Sequence, residues 1–340
     1  MENTEPTKPY KSNDLYNKIA CLLEEARRKV ASAVNIAMVY TYFEIGRIIV
    51  EDEQNGNSRA EYGKEVLKSL SERLTRKFGK GFSVTNLKQM RDFYQSYSIR
   101  QTLSDQFYLS WSHYLFLMRI DNKAERDFYE KEAENSNWSL RELKRQFDSS
   151  LYERLALSKD KDEVKKLSAQ GIIIEKPADI VKDPYVLEFL GLPEQASYSE
   201  SELEQELINK LESFLLELGK GYAFVGRQVR ITFDEKHFYV DLVFYNRMLH
   251  CNVIIELKNE EFSYQNFGQL NAYVSYYKEN EMQPGDNPPI GILLCTRKGK
   301  KMVEYALAGM DNQLFVSTYM LQLPDKKVLE DFLLKQLEEI

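Results

Sequence analysis

Three charged residues interrupt two apolar, strand-like segments between residues 238 and 258, and this pattern constrains the fold more than any other feature of the chain. The segments read FYVDLVFY (238–245) and HCNVIIELK (250–258). Their β-branched and aromatic residues predict a β-hairpin with a short loop beginning near Asn246. The charges within them are Asp241, Glu256 and Lys258. Burying a charge without a partner is costly, so these three side chains need a reason to stand there.

A loop from 246 to 249 would place Asp241 opposite Ile254. Glu256 is then the diagonal neighbour of Asp241, and Lys258 shares their face because side chains alternate along a strand. Two carboxylates about 4 Å apart repel by about 4 kcal/mol at an effective dielectric near 20, so the pair either shares a proton or holds a cation. The structural alternative for the three residues is a buried network of ion pairs without chemistry.

The ligands that this cluster offers are carboxylate oxygens, with no Cys or His beside them. Oxygen ligands suit a hard ion such as Mg²⁺ or Mn²⁺. Such an ion could lower the pKa of a bound water and stabilise negative charge on a phosphate. Lys258 would orient that water or support the developing charge. The hairpin is therefore a candidate metal site for phosphate chemistry.

The order of helix, strand, hairpin, helix and strand around Asp241 and the later Glu256-Leu257-Lys258 resembles the active-site signature of the PD-(D/E)xK nuclease superfamily. Val240 stands where that signature carries proline. Longer segments resemble the YhcG-like proteins, which are bacterial nucleases of that superfamily. The matching segments are YFEIG (42–46), AEYG (60–63), LSWSHY (109–114), FLLELG (214–219), GYAFVGRQ (221–228) and DLVFY (241–245).

This resemblance covers nearly the whole chain and implies metal-dependent hydrolysis of DNA phosphodiester bonds. It implies that Asp241 and Glu256 hold Mg²⁺ or Mn²⁺ with help from the Leu257 carbonyl, and that Lys258 positions the attacking water. An alternative of another class is a DNA-binding or assembly subunit whose cleavage needs a partner or is lost. Cleavage of RNA is also left open.

A helix predicted over 202–218 carries one further acid on its apolar stripe. At 100° per residue Glu204 falls among the leucines, whereas Glu206, Glu212 and Glu217 point away. In the superfamily an acid of this first helix joins the metal site, so Glu204 is the candidate. A first-turn glutamate favoured by the helix dipole is the alternative.

The next predicted helix, over 262–278, carries Gln269 and Tyr273 one turn apart. This Gln-x-x-x-Tyr resembles an extra motif of RecB-like members of the superfamily, where it helps to hold the active-site lysine and the substrate. The spacing alone usually marks a helix surface.

Nucleic-acid contacts are predicted in the amino-terminal region, where helices over 62–78 and 83–97 flank a Gly-Lys-Gly turn. Residues 59–91 contain nine Lys or Arg against three Glu, a local balance of +6 within a chain of net charge −7. A helix-turn-helix-like DNA-binding element and a solvated face of a helical bundle are equally good interpretations. The candidate nucleic-acid-binding residues are Lys80, Asn86, Lys88 and Arg91, with Arg227 on a strand predicted over 222–233.

A further basic face belongs to a helix predicted over 139–157, with Ser139 and Glu142 as its capping box. It carries Arg141, Lys144, Arg145 and Arg154, which either contact phosphate or form a solvated surface.

The fold class expected from these patterns is α+β with two domains. An all-α domain spans 10–175, a linker with a short helix spans 176–200, and an α/β domain with a mixed central sheet spans 201–340. The second domain is expected to be restriction-endonuclease-like because of the resemblance. A chain of 340 residues accommodates about two domains of typical size.

Composition predicts a cytoplasmic protein without a membrane span. The three cysteines are far apart, and residues 1–13 lack the apolar segment of a signal peptide. The apolar stretch 34–50 contains Glu44 and Arg47, so we expect a core helix there. The expected partner is nucleic acid, chiefly DNA, and not a membrane. No coiled-coil seam is evident, so a homo-oligomer and partner proteins of defence or repair are left open.

Overall fold

The computed structural model describes residues 12–55, 60–97, 107–157, 161–192, 199–310 and 313–331. The chain divides into two compact units, Met1–Arg126 and Asp127–Ile340. The first is helical and the second combines helices with a mixed sheet, which confirms the predicted fold class. The sequence predicts the change of domain at 176–200, a segment of which 193–198 lie outside the described residues, and this boundary stays a prediction.

The amino-terminal unit is built from helices around a small apolar core. This core comprises Ile49, Leu67, Leu87 and Met90, with aromatic rings of the first, third and fourth helices beside it. The elements are α1 (Ser12–Asn55), α2 (Ala60–Phe78), α3 (Val84–Tyr97), α4 (Trp111–Leu117) and the start of α5 (Lys123–Asn135).

A glycine permits the close crossing of α1 and α3. A Cβ atom on Gly46 would lie 2.0 Å from the carbonyl oxygen of Met90, well inside van der Waals contact. Phe43, one turn earlier on α1, packs its ring edge-on to Phe93 with centroids 5.8 Å apart. The glycine that ends the YFEIG segment is therefore a packing requirement, because any larger residue would push the two helices apart.

The predicted glycine turn between α2 and α3 is present. Gly79 and Gly81 have φ angles of +85° and +125°, which side chains rarely tolerate. Ser83 then accepts a hydrogen bond from the Asn86 backbone N–H at 3.2 Å, so it is the N-cap of α3.

The first helix is much longer than its packed part. Val39, Ile49 and Val50 are buried, whereas none of the described side chains between residues 16 and 38 is. By length and composition alone, Tyr16–Glu53 could cross a membrane, a criterion that core helices of globular proteins also meet. The predicted core helix over 34–50 is thus packed only from Val39 onward.

Two predicted helices of the second unit are each broken. Ser150, with a φ angle of +54°, separates α6 (Leu140–Asp148) from α7 (Leu151–Ala156). Lys210 separates α9 (Glu200–Asn209) from α10 (Leu211–Leu218). Between these pairs lies α8 (Lys161–Gln170). Each break turns the following helix, so a single helical wheel drawn through it misplaces the later side chains.

Within the described part of the second unit, the sheet has six strands in the order β1-β6-β5-β4-β3-β2. Strands β2, β3 and β4 pair antiparallel, whereas β4, β5, β6 and β1 pair parallel. The strands are β1 (Tyr185–Val186), β2 (Tyr222–Phe233), β3 (Lys236–Asn246), β4 (Cys251–Leu257), β5 (Ile290–Cys295) and β6 (Gln313–Met320).

Helices cover both faces of this sheet. One apolar cluster joins α9 and α10 to the face that carries Leu242 and Ile255. The other joins α11 (Tyr264–Asn280) and α12 (Lys300–Leu307) to the face that carries Val243 and Ile254. Because side chains alternate along a strand, Asp241 and Glu256 belong to the second face.

The hairpin exists, but its predicted register is wrong by two residues. Asn246 pairs with Cys251 and Leu242 with Ile255, so the loop is 247–250. The side chain of Asn246 sets this turn, because its Oδ1 accepts the N–H groups of Met248 at 2.9 Å and Leu249 at 3.1 Å. A shift of two residues leaves every side chain on the same face.

Candidate active site

Asp241 and Glu256 lie opposite each other one residue beyond the Leu242–Ile255 pair, at the open end of the hairpin, not diagonally as predicted. The Asp241 N–H donates to Glu256 Oε1 at 3.3 Å, and the Leu257 N–H donates to Asp241 Oδ2 at 2.9 Å. Glu256 is 1% exposed. A fully buried acid and a half-buried acid therefore face each other in a sheet whose interior is otherwise largely apolar.

Both carboxylates have pKa values above their ordinary range. Burial, followed by the negative charge of Asp241, raises the pKa of Glu256 to about 8. Burial also raises the pKa of Asp241, although the Leu257 N–H and Lys258 oppose that rise. Ionising both acids would therefore place more negative charge here than the surroundings neutralise, a condition that a bound proton or cation relieves.

Lys258 reaches the same site from the end of β4. Its Nζ lies 3.7 Å from Glu256 Oε2 and 3.0 Å from Glu200 Oε2. Burial alone would lower the pKa of Lys258, but the hydrogen bond to Glu200 and the two other acids outweigh burial, so its pKa is raised. The lysine is therefore a fully charged group with two acidic neighbours.

Glu200 was missed by sequence reasoning. It is the first residue of α9, whose N-cap is Ser199, and it lies one turn before Glu204. The signal was available, because the capping box of Ser199 with Glu202 marks this helix start in the sequence. We predicted the helix from 202 and so left Glu200 outside it.

Glu204 lies beside the hairpin acids but is neutralised by β2. It is 4% exposed, and its Oε1 forms an ion pair with Arg227 Nε. Arg227 also donates to Gln205 Oε1 at 2.6 Å. Arg227 is predicted to contact nucleic acid, but its Nε and Nη1 donors are already bonded to Glu204 and Gln205 within the protein. The predicted roles of Glu204 and of the Leu257 carbonyl as metal ligands stay predictions.

A glutamine links Glu204 to Asp241, and sequence reasoning assigned it no role. Gln228 Nε2 donates to Glu204 Oε2 at 2.5 Å and to Asp241 Oδ1 at 3.0 Å. Its backbone has a φ angle of +48°, a left-handed conformation that costs a non-glycine residue about 1–3 kcal/mol. This strained residue lies opposite Asp241 on the neighbouring strand β2, so its side chain fixes one oxygen of that acid.

Gln269 and Tyr273 lie together on α11, the helix that covers this face. Gln269 Nε2 donates to the Tyr273 hydroxyl at 2.6 Å. Burial raises the pKa of Tyr273, and the charges of Glu256 and Asp241 raise it further. The tyrosine is therefore near both acids, and the Gln-x-x-x-Tyr spacing forms a hydrogen-bonded pair, not a solvated surface.

The candidate DNA-contacting residues of the amino-terminal unit differ in how free their side chains are. Lys80 and Lys88 are exposed. The Asn86 amide donates to the Gly81 carbonyl at 3.0 Å, and Arg91 pairs with Asp92 and Glu53. The two lysines are available to a phosphate backbone, whereas Asn86 stabilises the turn and Arg91 is engaged with acids.

Another buried acid of the second unit, Glu217, contradicts the helical-wheel prediction. Glu217 is completely buried, not solvent-facing, because the break at Lys210 turns α10. It pairs with Arg154 at 2.9 Å and Arg145 at 3.3 Å, and accepts the Val186 N–H at 3.0 Å. Arg145 and Arg154, expected at the surface, are thus turned into the fold.

The Glu217 cluster includes a third cation. Lys182 Nζ lies 3.9 Å from Glu217 Oε2 and donates to the Glu217 carbonyl. Burial would raise the pKa of Glu217, but Arg154, Lys182 and Arg145 outweigh burial and lower it to about 2. Burial in turn lowers the pKa of Lys182 to about 8.

Two family models together match most of the chain. Residues 18–154 match the DUF1016 N-terminal domain, and residues 178–334 match the YhcG PDDEXK nuclease domain. The chain is also 42% identical to the protein named "Putative nuclease YhcG" of Escherichia coli (strain K12), over 94% of this chain and 93% of that protein.

Solved structures of other proteins are similar to part of this chain. A repair endonuclease from Pyrococcus abyssi is 21% identical over 39% of this chain and 50% of its own, with a TM-score of 0.27. A structure titled as an EndoMS-dsDNA2 complex is 20% identical over 39% of this chain and 48% of its own, also with a TM-score of 0.27. The chain spans about half the length of these proteins, and at such scores the likeness carries no argument.

Proposed function

Because the chain belongs to the YhcG family of PDDEXK-domain nucleases, we propose that it hydrolyses DNA phosphodiester bonds with the help of a divalent metal ion. The observation that carries this proposal is the pairing of half-buried Asp241 with buried Glu256, with Lys258 at its edge. The pair lies inside the segment that matches the nuclease domain.

The residues present fit a hard cation such as Mg²⁺ or Mn²⁺. Glu256 is 1% exposed and its pKa is raised to about 8, so the site favours added positive charge. The nearby donors are carboxylate oxygens of Asp241 and Glu256, the type that these ions prefer. Glu204 and the Leu257 carbonyl would complete the shell. When bound, the ion would supply an acidic water and charge stabilisation for the phosphate.

The chain's own residues would orient the reaction. Lys258, charged and anchored by Glu200, would hold the attacking water or balance charge on the phosphate. Gln228 would keep Asp241 in one orientation. Tyr273, hydrogen-bonded to Gln269 and near both acids, would support the position of Lys258 and the substrate.

The basic turn between α2 and α3 is the proposed second contact with DNA. Lys80 and Lys88 are exposed and would neutralise backbone phosphates. A double Lys80→Ala, Lys88→Ala variant should bind DNA more weakly at every sequence, and the slope of log affinity against log salt should fall by about 2. Binding unchanged in a gel-shift titration would make the turn a solvated face.

Cleavage of labelled linear, circular, branched and single-stranded DNA, with single-stranded RNA beside them, tests the reaction itself. Each substrate is incubated with Mg²⁺, Mn²⁺ or a chelator. Asp241→Asn and Lys258→Met should abolish metal-dependent cutting. Asp234→Asn and Lys236→Met are matched controls, because both residues are exposed at the turn between β2 and β3.

Each outcome has a distinct meaning. Cutting of DNA that both site variants lose, and both controls keep, supports the proposal. Cutting of RNA alone would change the substrate. Metal-independent binding without cutting would favour a binding or assembly subunit, and cutting that survives Asp241→Asn would place the chemistry elsewhere.

A further inference from the structure

The amino-terminal half of α1 carries a regular seam of apolar residues. From residue 16 to residue 37 they alternate at spacings of three and four, which is the heptad pattern of a coiled coil. We did not identify this seam in the sequence, because neighbouring apolar residues such as Leu22 and Val34 broaden the stripe. The seam positions are Tyr16, Ile19, Leu23, Ala26, Val30, Ala33 and Ala37.

All seven seam residues are exposed in the structure. Tyr16 is 70% and Val30 64% exposed, and Leu22 beside the seam is 66% exposed. The packed part of α1 begins only at Val39. The seam is therefore not used by the core that holds the rest of α1.

An exposed stripe of this length is unusual in a stable helix. Helices gain most of their stability from packing an apolar face, and exposed apolar patches of several hundred Å² commonly mark interaction sites. Residues 16–37 extend for about 33 Å at 1.5 Å per residue. The stripe therefore offers three heptads of exposed apolar residues to which a partner helix of the same length could bind.

We propose that this seam pairs with the same seam of a second copy of the chain. A heptad seam is self-complementary, so an identical helix supplies matching knobs and holes. The side chains of the stripe present on the order of 800 Å² per copy, which is the share that a stable interface of ordinary size needs. Alanine at 26, 33 and 37 would let two helices approach closely at one end.

The charges flanking the seam fit a helix partner better than a lipid interior. Glu24 and Glu25 lie in the middle of the segment, and Glu25 pairs with Lys29 at 2.8 Å on the same helix. Ionised acids at the centre of a membrane span are costly. In a coiled coil such residues lie outside the seam, where they remain in water.

The experiment measures the molar mass of the full chain by light scattering after size exclusion, at loading concentrations from about 1 to 100 μM. We expect twice the 39.9 kDa of one chain for the unmodified protein. Leu23→Glu with Val30→Glu should weaken association by about 100-fold or more, because both acids would be buried in the seam. Leu23→Gln with Val30→Gln repeats the test without added charge.

Asn35→Glu is the matched control, because residue 35 is exposed on the side of α1 opposite the seam. This variant should remain a dimer with the circular dichroism and melting temperature of the parent, whereas the seam variants should lose only the helical signal of the unpaired 16–37 segment and should still unfold cooperatively. A monomer at 100 μM, or a dimer that the seam variants leave intact, would overturn the proposal. Sedimentation of a monomeric chain with vesicles of anionic lipid, lost in the seam variants, would overturn it in favour of a membrane.

Discussion

Glu256 and Glu217 are both buried glutamates of the same unit, and the fold treats them in opposite ways. Glu217 is surrounded by Arg154, Arg145 and Lys182, and its pKa falls to about 2. Glu256 faces a second acid with one lysine at 3.7 Å, and its pKa rises to about 8. A buried carboxylate whose charge is balanced by nearby cations contributes to the stability of the fold. A buried carboxylate with too few cations around it is a candidate for binding a proton or a metal ion. This imbalance, more than burial, separates the candidate active site from a structural ion cluster.

The largest expected effect is the loss of cleavage in Glu256→Gln. Removing this charge should lower metal-dependent cutting by at least about 10³-fold, because the cation loses a ligand. The metal-free protein should keep or gain stability, because the fold no longer buries an unfavourable charge. Cleavage assays and thermal melts with and without Mg²⁺ measure both effects.

Glu279→Gln, at an exposed position of α11, is the control for that substitution. It should retain both cleavage and the stabilisation by Mg²⁺. A Glu256→Gln protein that melts well below its parent without metal would show that Glu256 is structural, and the contrast with Glu217 would disappear.

Glu217→Gln should act in the opposite sense and lower the free energy of unfolding by roughly 3–5 kcal/mol. Its three cations would remain buried without their common acid. Urea unfolding of this variant measures the loss, with Glu212→Gln on the exposed side of α10 as its control. Equal stability of the two variants would mean that the cluster contributes nothing.

Acid should destabilise the protein through Glu217 between about pH 4.5 and pH 2. The folded pKa is about 2 and the ordinary value is 4.5, so within this window the unfolded chain binds more protons than the folded one. Stability from this group is complete above pH 4.5 and is lost as pH falls. Urea titrations across the window should show a shallower pH slope for Glu217→Gln. A slope identical to that of the parent would assign acid sensitivity to other groups.

The smallest expected effect is that of Gln228→Ala, about tenfold in cleavage. The substitution frees Asp241 Oδ1 without removing a charge, so it should raise the metal concentration needed for half-maximal cutting. Gln228→Glu should be worse, since it adds a third acid beside Glu204 and Asp241. A uniform loss at saturating metal, with no change in the metal requirement, would exclude a positioning role.

The convergence of Asp241, Glu256 and Lys258 could be predicted from sequence even though the register was wrong. Side chains alternate with a period of two, so an error of two residues preserves which face each one occupies. The mixed sheet, the order of helices and strands, and the glycine turn were also readable. In each case the signal lies within a few neighbouring residues, where periodicity and turn chemistry act.

Contacts between distant segments could not be read in this way. The break at Lys210 turned Glu217 inward, and its cations come from residues up to 72 positions away. Gln228 contacts both Glu204 and Asp241 because β2 pairs with β3 and also contacts α9. Charge balance around a buried acid depends on which segments pack there.

The periodicity of the sequence therefore identified which charged residues converge and on which face of the hairpin they lie. The tertiary structure decided which buried acid is neutralised and which is left in need of a cation. Local pattern fixes the direction of a side chain, because backbone geometry repeats along a helix or strand. Burial and charge compensation are set by packing between segments, and so they appear only in the folded chain.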